Sequence, residues 1–170
     1  MKICILSDSH DHSPLVLAAL QQAKAAGVEA VLHCGDVIGA HTLKPVLQMG
    51  LAAHVVHGNN LGDAAAMYAM AARSGGLLSY YGADADIQLG GRRIFIVHYP
   101  HYGRAMAATG DFDLVCCGHS HKAEILRQPN LKGGQTWLVN PGTVAGLAAP
   151  PTYVIGNLDT LSFEICELAR

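Results

Sequence analysis

The fold is decided near the start of the chain, by the stretch Ile3-Cys4-Ile5-Leu6-Ser7-Asp8-Ser9-His10. Its first four residues form a continuous apolar run, which is typical of a strand covered on both faces in a parallel sheet. Ser13 and Pro14 then suit a helix start, and Gly27 suits a helix end. The segment therefore predicts one strand–helix unit, with its strand at the centre of a sheet.

Two further apolar runs extend this pattern through the first half of the chain. Ala30-Val31-Leu32 precedes Cys34-Gly35-Asp36, and Ala53-His54-Val55-Val56 precedes Gly58-Asn59-Asn60. Asp63 is placed to cap an alanine-rich helix over about 64–73. Alternating strands and helices of this kind are typical of a parallel sheet.

The second half of the chain has a different pattern. Two runs, 86–89 and 92–97, flank Gly90-Gly91, a two-residue loop of the kind that closes a hairpin. A short helix is predicted over 104–108, and a surface loop over 140–151. Further strands are predicted at 114–117, 123–127, 136–139, 153–155 and 161–166. The chain thus predicts an α/β fold with two mixed sheets packed face to face, helices outside them, and a single domain over residues 1–170.

Composition limits the classes of function. Of the 170 residues, 51% are hydrophobic and 14% are charged, so the chain folds around a core. The formal net charge of −2 gives no global field for nucleic acid, which we do not expect as a bulk ligand. No apolar stretch approaches the ~20 residues of a membrane span, so we expect no membrane partner. Five cysteines without a CxxC spacing predict buried thiols in a reducing cytoplasm, the alternative being a redox or soft-metal site.

Metal-capable side chains follow five of the apolar runs. In an open α/β sheet the carboxyl ends of the strands line one crevice, where ligands bind. We therefore expect these side chains to converge. They are Asp8, His10, Asp36, Asn59, His98, His119 and His121.

This donor set suits divalent ions. Two carboxylates, four imidazoles and one carboxamide, with no thiolate, favour Mn, Fe, Co, Ni or Zn. Seven ligands are too many for one catalytic ion, whereas two ions ~3.5–4 Å apart that share a carboxylate would use them all. Two such ions and two aspartates leave about +2 in the cleft, which attracts a phosphate ester. A hydroxide bridging the two ions would then attack phosphorus in line.

Six motifs carry a resemblance to a known family. They are Ser7-Asp8-Ser9-His10, His33-Cys34-Gly35-Asp36, His57-Gly58-Asn59-Asn60, His98, Gly118-His119-Ser120-His121 and Asn140-Pro141-Gly142-Thr143. Together they resemble the calcineurin-like metallophosphoesterases, in particular the small YfcE-type phosphodiesterases. The resemblance follows nearly the whole chain in order.

The resemblance implies a metallophosphatase fold, which is a four-layer α/β/β/α sandwich. It assigns one metal to Asp8, His10 and His121. It assigns the other to Asn59, His98 and His119, and makes Asp36 the bridging ligand. By the same resemblance Asp36, His10 and Asn59 carry catalysis, and manganese is the first choice of metal.

This sequence departs from the family around the catalytic motif. Many relatives carry a histidine where Asn60 stands, and that histidine protonates the leaving oxygen. The general acid is therefore unassigned here, and Asp63 is a displaced candidate. Esters with good leaving groups, such as aryl phosphodiesters, are then expected to react best. Tyr99-Pro100-His101 replaces a glycine usual after the metal-binding histidine, so the substrate mouth is expected to be reshaped.

Other polar residues have a weaker connection to the site. Asn60, His12 and His101 are predicted substrate contacts, although His12 and His101 also suit plain loop positions near a helix start. His33, His54 and His57 are interpreted as packing residues, and Asn140-Pro141-Gly142 as an ordinary turn.

These observations predict a metal-dependent phosphodiesterase of the cytoplasm acting on a small phosphate ester. Two alternatives stay open. One is a phosphomonoesterase or nucleotide phosphatase using the same site. The other is a non-catalytic protein-binding module of the same fold, as in the retromer subunit. The sequence also leaves a homo-oligomer open.

Overall fold

The structure is a computed structural model that describes residues 1–169, and its elements form two sheets with helices on their outer faces. In chain order they are β1 (Lys2–Leu6), α1 (Ser13–Ala25), β2 (Ala30–His33), a 3₁₀-helix (Ala40–Leu43), α2 (Lys44–Gln48), β3 (Ala52–Val55), α3 (Ala64–Arg73), β4 (Leu78–Tyr80), β5 (Asp84–Leu89), β6 (Arg92–Val97), α4 (Pro100–Thr109), β7 (Leu114–Cys116), β8 (Ala123–Pro129), β9 (Gln135–Pro141), β10 (Thr152–Asn157) and β11 (Ser162–Glu167).

The first sheet has six strands in the order β11-β10-β1-β2-β3-β4. Strands β1 to β4 are parallel, and β10 pairs antiparallel with β1, so that Ile5 lies between Leu32 and Val154. The predicted central position of the first strand is confirmed. One face of β1 packs against α1 and the other packs against the second sheet, so both faces must be apolar, which explains the uninterrupted run at 3–6.

The second sheet has five strands in the order β5-β6-β7-β9-β8. Strands β6, β7 and β9 are parallel, whereas β5 and β8 pair antiparallel at the two edges. Gly90 and Gly91 join β5 to β6 with φ angles of 55° and 73°, as the predicted hairpin requires. Both sheets are mixed, and the predicted α/β sandwich is confirmed.

Three apolar layers hold the sandwich together. Between the sheets, Ile5 and Leu32 belong to one buried cluster with Ile96. Val16 of α1 packs in a second cluster behind the first sheet, and Phe112 belongs to a third cluster between the second sheet and α4. Each buried side chain of this size contributes roughly 1.5–3 kcal/mol. The four layers therefore follow from helices covering the outer face of each sheet.

The cysteines are free, as expected. Cys4, Cys34, Cys116 and Cys117 are buried, and Cys166 is partly exposed. Burial raises the pKa of Cys4 and of Cys34 well above the usual value for a thiol. They therefore act as small core residues.

Some local predictions were wrong. The 3₁₀-helix, α2 and β4 were missed because each is five residues or shorter and has little periodicity of its own. Helix α4 begins at Pro100 and not at 104, since proline suits the first helical position. His12, not Ser13, caps α1, with its Nδ1 accepting from the Leu15 N–H.

The surface loop predicted over 140–151 is also corrected. Residues 140–145 are buried, and β9 extends to Pro141. No helix within residues 1–169 is long and apolar enough to cross a membrane.

Candidate metal centre

The proposed ligands lie on loops at one edge of the sandwich. Those that follow β1, β2 and β3 come from the first sheet, and those that follow β6 and β7 come from the second. The loops after β1 and β2 are bonded to each other. The Asp8 N–H donates to the Gly35 carbonyl, and the His10 N–H donates to the Asp36 carbonyl, both at 3.0 Å.

The backbone at these positions is unusual. Among residues 1–169, nine residues other than glycine have positive φ, and five of them are proposed ligands. These five are Asp8, His10, Asp36, His119 and His121, with φ between 40° and 67°. Residues other than glycine adopt this left-handed region of positive φ at an energetic cost, and residues in such conformations cluster at functional sites.

Asp8 is fully buried, and its two carboxylate oxygens have different surroundings. Oδ2 accepts the backbone N–H of His119 at 3.0 Å, which joins the loops of the two sheets. Oδ1 is buried and has no hydrogen-bond partner among the described residues. The His121 Nε2 lies 3.2 Å from Oδ1, and the His10 Nε2 lies 3.9 Å from it.

Asp36 lies between ligands of the two predicted metal positions. Its Oδ2 is 3.7 Å from the His10 Nε2, and its Oδ1 is 3.5 Å from the His98 Nε2. Asn60 holds both oxygens, donating its backbone N–H to Oδ1 at 2.8 Å and its side-chain amide to Oδ2 at 2.6 Å. Each oxygen keeps a lone pair for another partner.

Carbonyl groups set the orientation of two imidazoles. The His98 Nδ1 donates to the Cys34 carbonyl, and the His121 Nδ1 donates to the Leu147 carbonyl, both at 2.8 Å. In a neutral ring the lone pair is then on Nε2. For His98 this atom is 3.0 Å from the Asn59 Oδ1, which is also an acceptor.

With neutral rings, acceptors therefore face acceptors at two places in the centre, between His98 and Asn59 and between His121 and Asp8. The His121 Nε2 faces a carboxylate oxygen of Asp8, and the buried His10 Nε2 has no hydrogen-bond partner among the described residues. Within residues 1–169 the ion-pair partners of Asp8 and Asp36 are histidines, not lysines or arginines. Buried carboxylates are paired or bind metals, so this donor set fits divalent cations.

Two groups of ligand atoms lie within 4.8 Å of one another. The first is Asp8, His10 and His121, as predicted for one metal. The second is Asp8, Asp36 and His98. His119 belongs to neither group among the described residues, but its ring centroid is 5.1 Å from that of His98.

The three predicted substrate contacts have different surroundings. The Asn60 amide is bonded to Asp36, and the His12 Nδ1 caps α1. His101 lies exposed in the first turn of α4, with its ring centroid 4.2 Å from that of Tyr102. Of these three residues, His101 is the one whose side chain makes no hydrogen bond to the site or to a helix end in the described part of the chain.

Asn140 and Thr143 were not recognised as part of the centre. The Asn140 amide is buried and donates to the Gly118 carbonyl at 2.8 Å and to the Ser120 Oγ at 3.0 Å. The Thr143 Oγ1 donates to the Asp8 carbonyl at 3.0 Å. The motif at 140–143 was the available signal, and its interpretation as an ordinary turn did not anticipate these contacts.

Glycine is required at two places beside the ligands. A Cβ at Gly58 would run into the Asp36 carboxylate, and a Cβ at Gly118 would run into the Ser7 hydroxyl. Both are contacts with groups that cannot move freely. Gly58 thus allows the loops after β2 and β3 to approach within the first sheet, and Gly118 allows the loop after β7 to approach the loop after β1.

His33 is a packing residue, as interpreted. Its Nδ1 accepts the Gly35 N–H at 3.3 Å, so its Nε2 donates to the Ser9 Oγ at 3.1 Å. Burial lowers the pKa of His33 to about 3, which keeps the ring neutral. The neutral ring thereby supports the loop between Asp8 and His10.

Comparison with known proteins identifies the arrangement. The calcineurin-like phosphoesterase superfamily domain matches residues 1–161. A curated phosphodiesterase of Methanocaldococcus jannaschii is 28% identical over 173 residues, which cover 99% of this chain and 98% of the relative.

Solved structures share the fold. An archaeal phosphodiesterase superposes with a TM-score of 0.88 at 24% identity, covering 99% of this chain and 100% of the other. YfcE, a phosphoesterase from E. coli, superposes with a TM-score of 0.65 at 17% identity, with the same coverage.

Proposed function

Because the chain belongs to the calcineurin-like phosphoesterase superfamily, a family of metal-dependent phosphoesterases, we propose that it hydrolyses small phosphodiesters using two divalent ions. The observation that carries this proposal is the buried cluster in which Asp8 Oδ1 and His10 Nε2 have no hydrogen-bond partner among the described residues and lie together with His121 Nε2. The similarity to a phosphodiesterase along 99% of the chain supports a diester as substrate.

We assign the ligands to two metal positions. Asp8, His10 and His121 would hold one ion. Asn59, His98 and His119 would hold the other, with Asp36 between them. The position of Asp36 supports its bridging role, since its two oxygens face His10 and His98 separately.

When bound, the ions supply Lewis acidity and lower the pKa of water so that hydroxide forms near neutral pH. The protein supplies the geometry. Carbonyls of Cys34 and Leu147 fix the rings of His98 and His121, and Asn60 fixes the Asp36 carboxylate. Ligands held in this way need no rearrangement during the reaction, which is the source of electrostatic catalysis.

Protonation of the leaving oxygen has no assigned donor near Asp36. Asn60 has no acidic proton and is bonded to Asp36. Asp63 caps α3 through its Oδ1, which accepts the Ala66 N–H at 2.9 Å. Esters whose leaving groups need little protonation, such as aryl phosphodiesters, are therefore the best substrates.

Manganese is the first choice of metal, with Ni, Fe, Co or Zn as alternatives. Carboxylate and carboxamide oxygens suit the harder ions, whereas four imidazoles suit the borderline ones. The donor set contains no thiolate. The nearby Cys34 is a buried core residue, and its backbone carbonyl accepts the hydrogen bond from the His98 Nδ1.

We also propose a single domain for residues 1–170. Strand β10, near the carboxyl end of the chain, pairs with β1 in the first sheet, and Leu158 belongs to the buried cluster between the sheets. The two ends of the chain thus complete one core. This supports one folding unit.

The test is a hydrolysis panel on protein reconstituted with each metal, using aryl phosphodiesters, phosphomonoesters and cyclic nucleotides. We expect aryl diesters to be cleaved fastest. Asp36→Asn is expected to lower turnover by about 10²–10³-fold or more. Asp86→Asn is the matched control, because that carboxylate is exposed and paired with Arg93.

The panel separates the alternatives. Faster cleavage of monoesters than of diesters would make the protein a phosphomonoesterase. No hydrolysis with any metal, together with tight binding to a protein partner, would favour the non-catalytic module. Equal turnover in Asp36→Asn and the unmodified protein would remove Asp36 from the reaction.

A further inference from the structure

A cavity beside the metal centre is not used by the reaction described above. Its volume is about 210 Å³, and its wall includes His57, Gly58, Asp84, Tyr99 and Tyr102. This is smaller than the ~300–1,000 Å³ of pockets for drug-sized ligands. A single ring system therefore suits its size.

The cavity adjoins the ligands directly. Gly58 precedes the ligand Asn59, and a Cβ on Gly58 would meet Asp36. On the other side, the Tyr99 ring centroid lies 5.3 Å from that of His98 and 5.0 Å from that of His119. A ring bound in the cavity would therefore need only a short covalent link to a phosphate bound at the centre.

Aromatic rings dominate one wall. Tyr99 and Tyr102 have ring centroids 6.0 Å apart in an edge-to-face arrangement, and His101 packs against both. Tyr102 is 56% exposed although it is a large aromatic residue. A planar ring stacked on such a side chain gains about 1–3 kcal/mol when the ring is a nucleobase.

The lining of the cavity also includes a carboxylate. Asp84 begins β5 and pairs in register with Val97, directly before His98. Its exposed carboxylate repels a phosphate but accepts hydrogen bonds from ring N–H and amino groups, as acidic side chains do with cytosine. The wall therefore favours an aromatic base that carries N–H donors.

The cavity also has an extension. A second cavity of about 230 Å³ shares Asp84, Val97 and Tyr102 with the first and continues to Met106 along α4. The two form one trough that leads away from the ligands. It offers room for a base together with its sugar.

We call the two joined cavities the Tyr99–Tyr102 cavity. We propose that this cavity binds the aromatic base of a nucleotide-like phosphoester and thereby sets the specificity of the protein for its substrate. The proposal rests on the proposed function for the position of the phosphate. Tyr102 stacks on the base, and Asp84 accepts its N–H groups. Alkyl phosphoesters lack both interactions and bind more weakly.

The test measures binding separately from turnover. Calorimetry on the manganese-loaded protein compares phenylphosphonate with methylphosphonate, and adenosine 5′-phosphorothioate with purine riboside 5′-phosphorothioate. We expect about tenfold tighter binding of the phenyl compound. The purine riboside analogue lacks the amino group, so it is expected to bind more weakly than the adenosine analogue.

Variants assign the effect to the cavity. Tyr102→Ala should remove the preference for phenyl and raise KM for bis-aryl phosphate about tenfold with kcat little changed. Tyr102→Phe should retain both. Asp84→Ala should reduce only the preference for adenosine. Tyr68→Ala is the control, since Tyr68 is 52% exposed on α3 and does not line this cavity.

The outcomes distinguish the two proposals. Equal affinity for the phenyl and methyl compounds, or an unchanged preference in Tyr102→Ala, overturns the assignment of the cavity. A preference for phenyl without hydrolysis of any ester supports the cavity and overturns the proposed function.

Discussion

The two sheets contribute different groups to the proposed metal centre. The first sheet supplies both carboxylates, Asp8 and Asp36, together with His10 and Asn59, whereas the second sheet supplies imidazoles alone. One ligand from each sheet is held by a group of opposite polarity from the other sheet. Asp8 accepts an N–H from the loop after β7, and His98 donates to a carbonyl in the loop after β2. The centre therefore forms only when the sheets pack against each other.

Substitution of a carboxylate from the first sheet should have the largest effect on activity. In Asp8→Asn the side-chain amide can donate to the His121 Nε2, so the metal-free protein loses a buried charge and a lone-pair conflict. We expect activity to fall by about 10²–10³-fold or more, while the chelated variant melts about 2–4 °C higher than the chelated parent.

Melting curves with and without metal, together with turnover, check this outcome. Asp86→Asn again serves as the control. A chelated Asp8→Asn protein that melts well below the chelated parent would show that Asp8 stabilises the fold without metal, contrary to the comparison.

Asn60 tests how the second carboxylate is held. Asn60→Ala removes the side-chain donor to the Asp36 Oδ2 but keeps the backbone donor to Oδ1. We expect a 10–100-fold loss in metal affinity or activity, as is usual for groups that orient ligands. Asn60→Asp should be worse, since it places a third carboxylate against Asp36. Metal titrations and kcat/KM measure both, and equal losses in the two variants would contradict the electrostatic explanation.

Some of this arrangement could be predicted from sequence, and some could not. Asp8 and Asp36 were predictable because an apolar run followed by polar residues is a local signal, and parallel strands bring such ends together. The Cys34 and Leu147 carbonyls were not, because any residue can supply a backbone acceptor. Contacts such as His98 with Cys34, 64 positions apart, depend on how the two sheets pack. The cavity at Tyr102 likewise requires β5, β6 and α4 in place.

The imidazole side of the comparison is tested at Asn140. Asn140→Ala removes the side-chain donor to the Gly118 carbonyl, which keeps only the Ser120 N–H, and the donor to the Ser120 hydroxyl, in the loop that carries His119 and His121. We expect a loss of about 1–3 kcal/mol in the free energy of unfolding and a lower kcat. Urea unfolding and turnover measure these changes. Asn157→Ala, at the end of strand β10 where the side chain accepts the exposed Asp159 N–H, is the control, and stability equal to that of the control would contradict the role of Asn140.

The smallest effect concerns His33, which supports the loop of the first sheet. Its pKa is lowered by burial from 6.5 to about 3, so below pH 6.5 the unfolded chain gains a proton that the folded protein does not. The contribution of His33 to the free energy of unfolding is therefore fully present above pH 6.5. It is lost as pH decreases toward 3, by about 1 kcal/mol in the first pH unit below 6.5. In chelated His33→Gln this contribution is removed, although the glutamine amide can still donate to the Ser9 hydroxyl. Unfolding free energies measured between pH 7 and about pH 5.5 should decline less steeply in the variant, and parallel declines would show that His33 does not remain neutral in the folded protein.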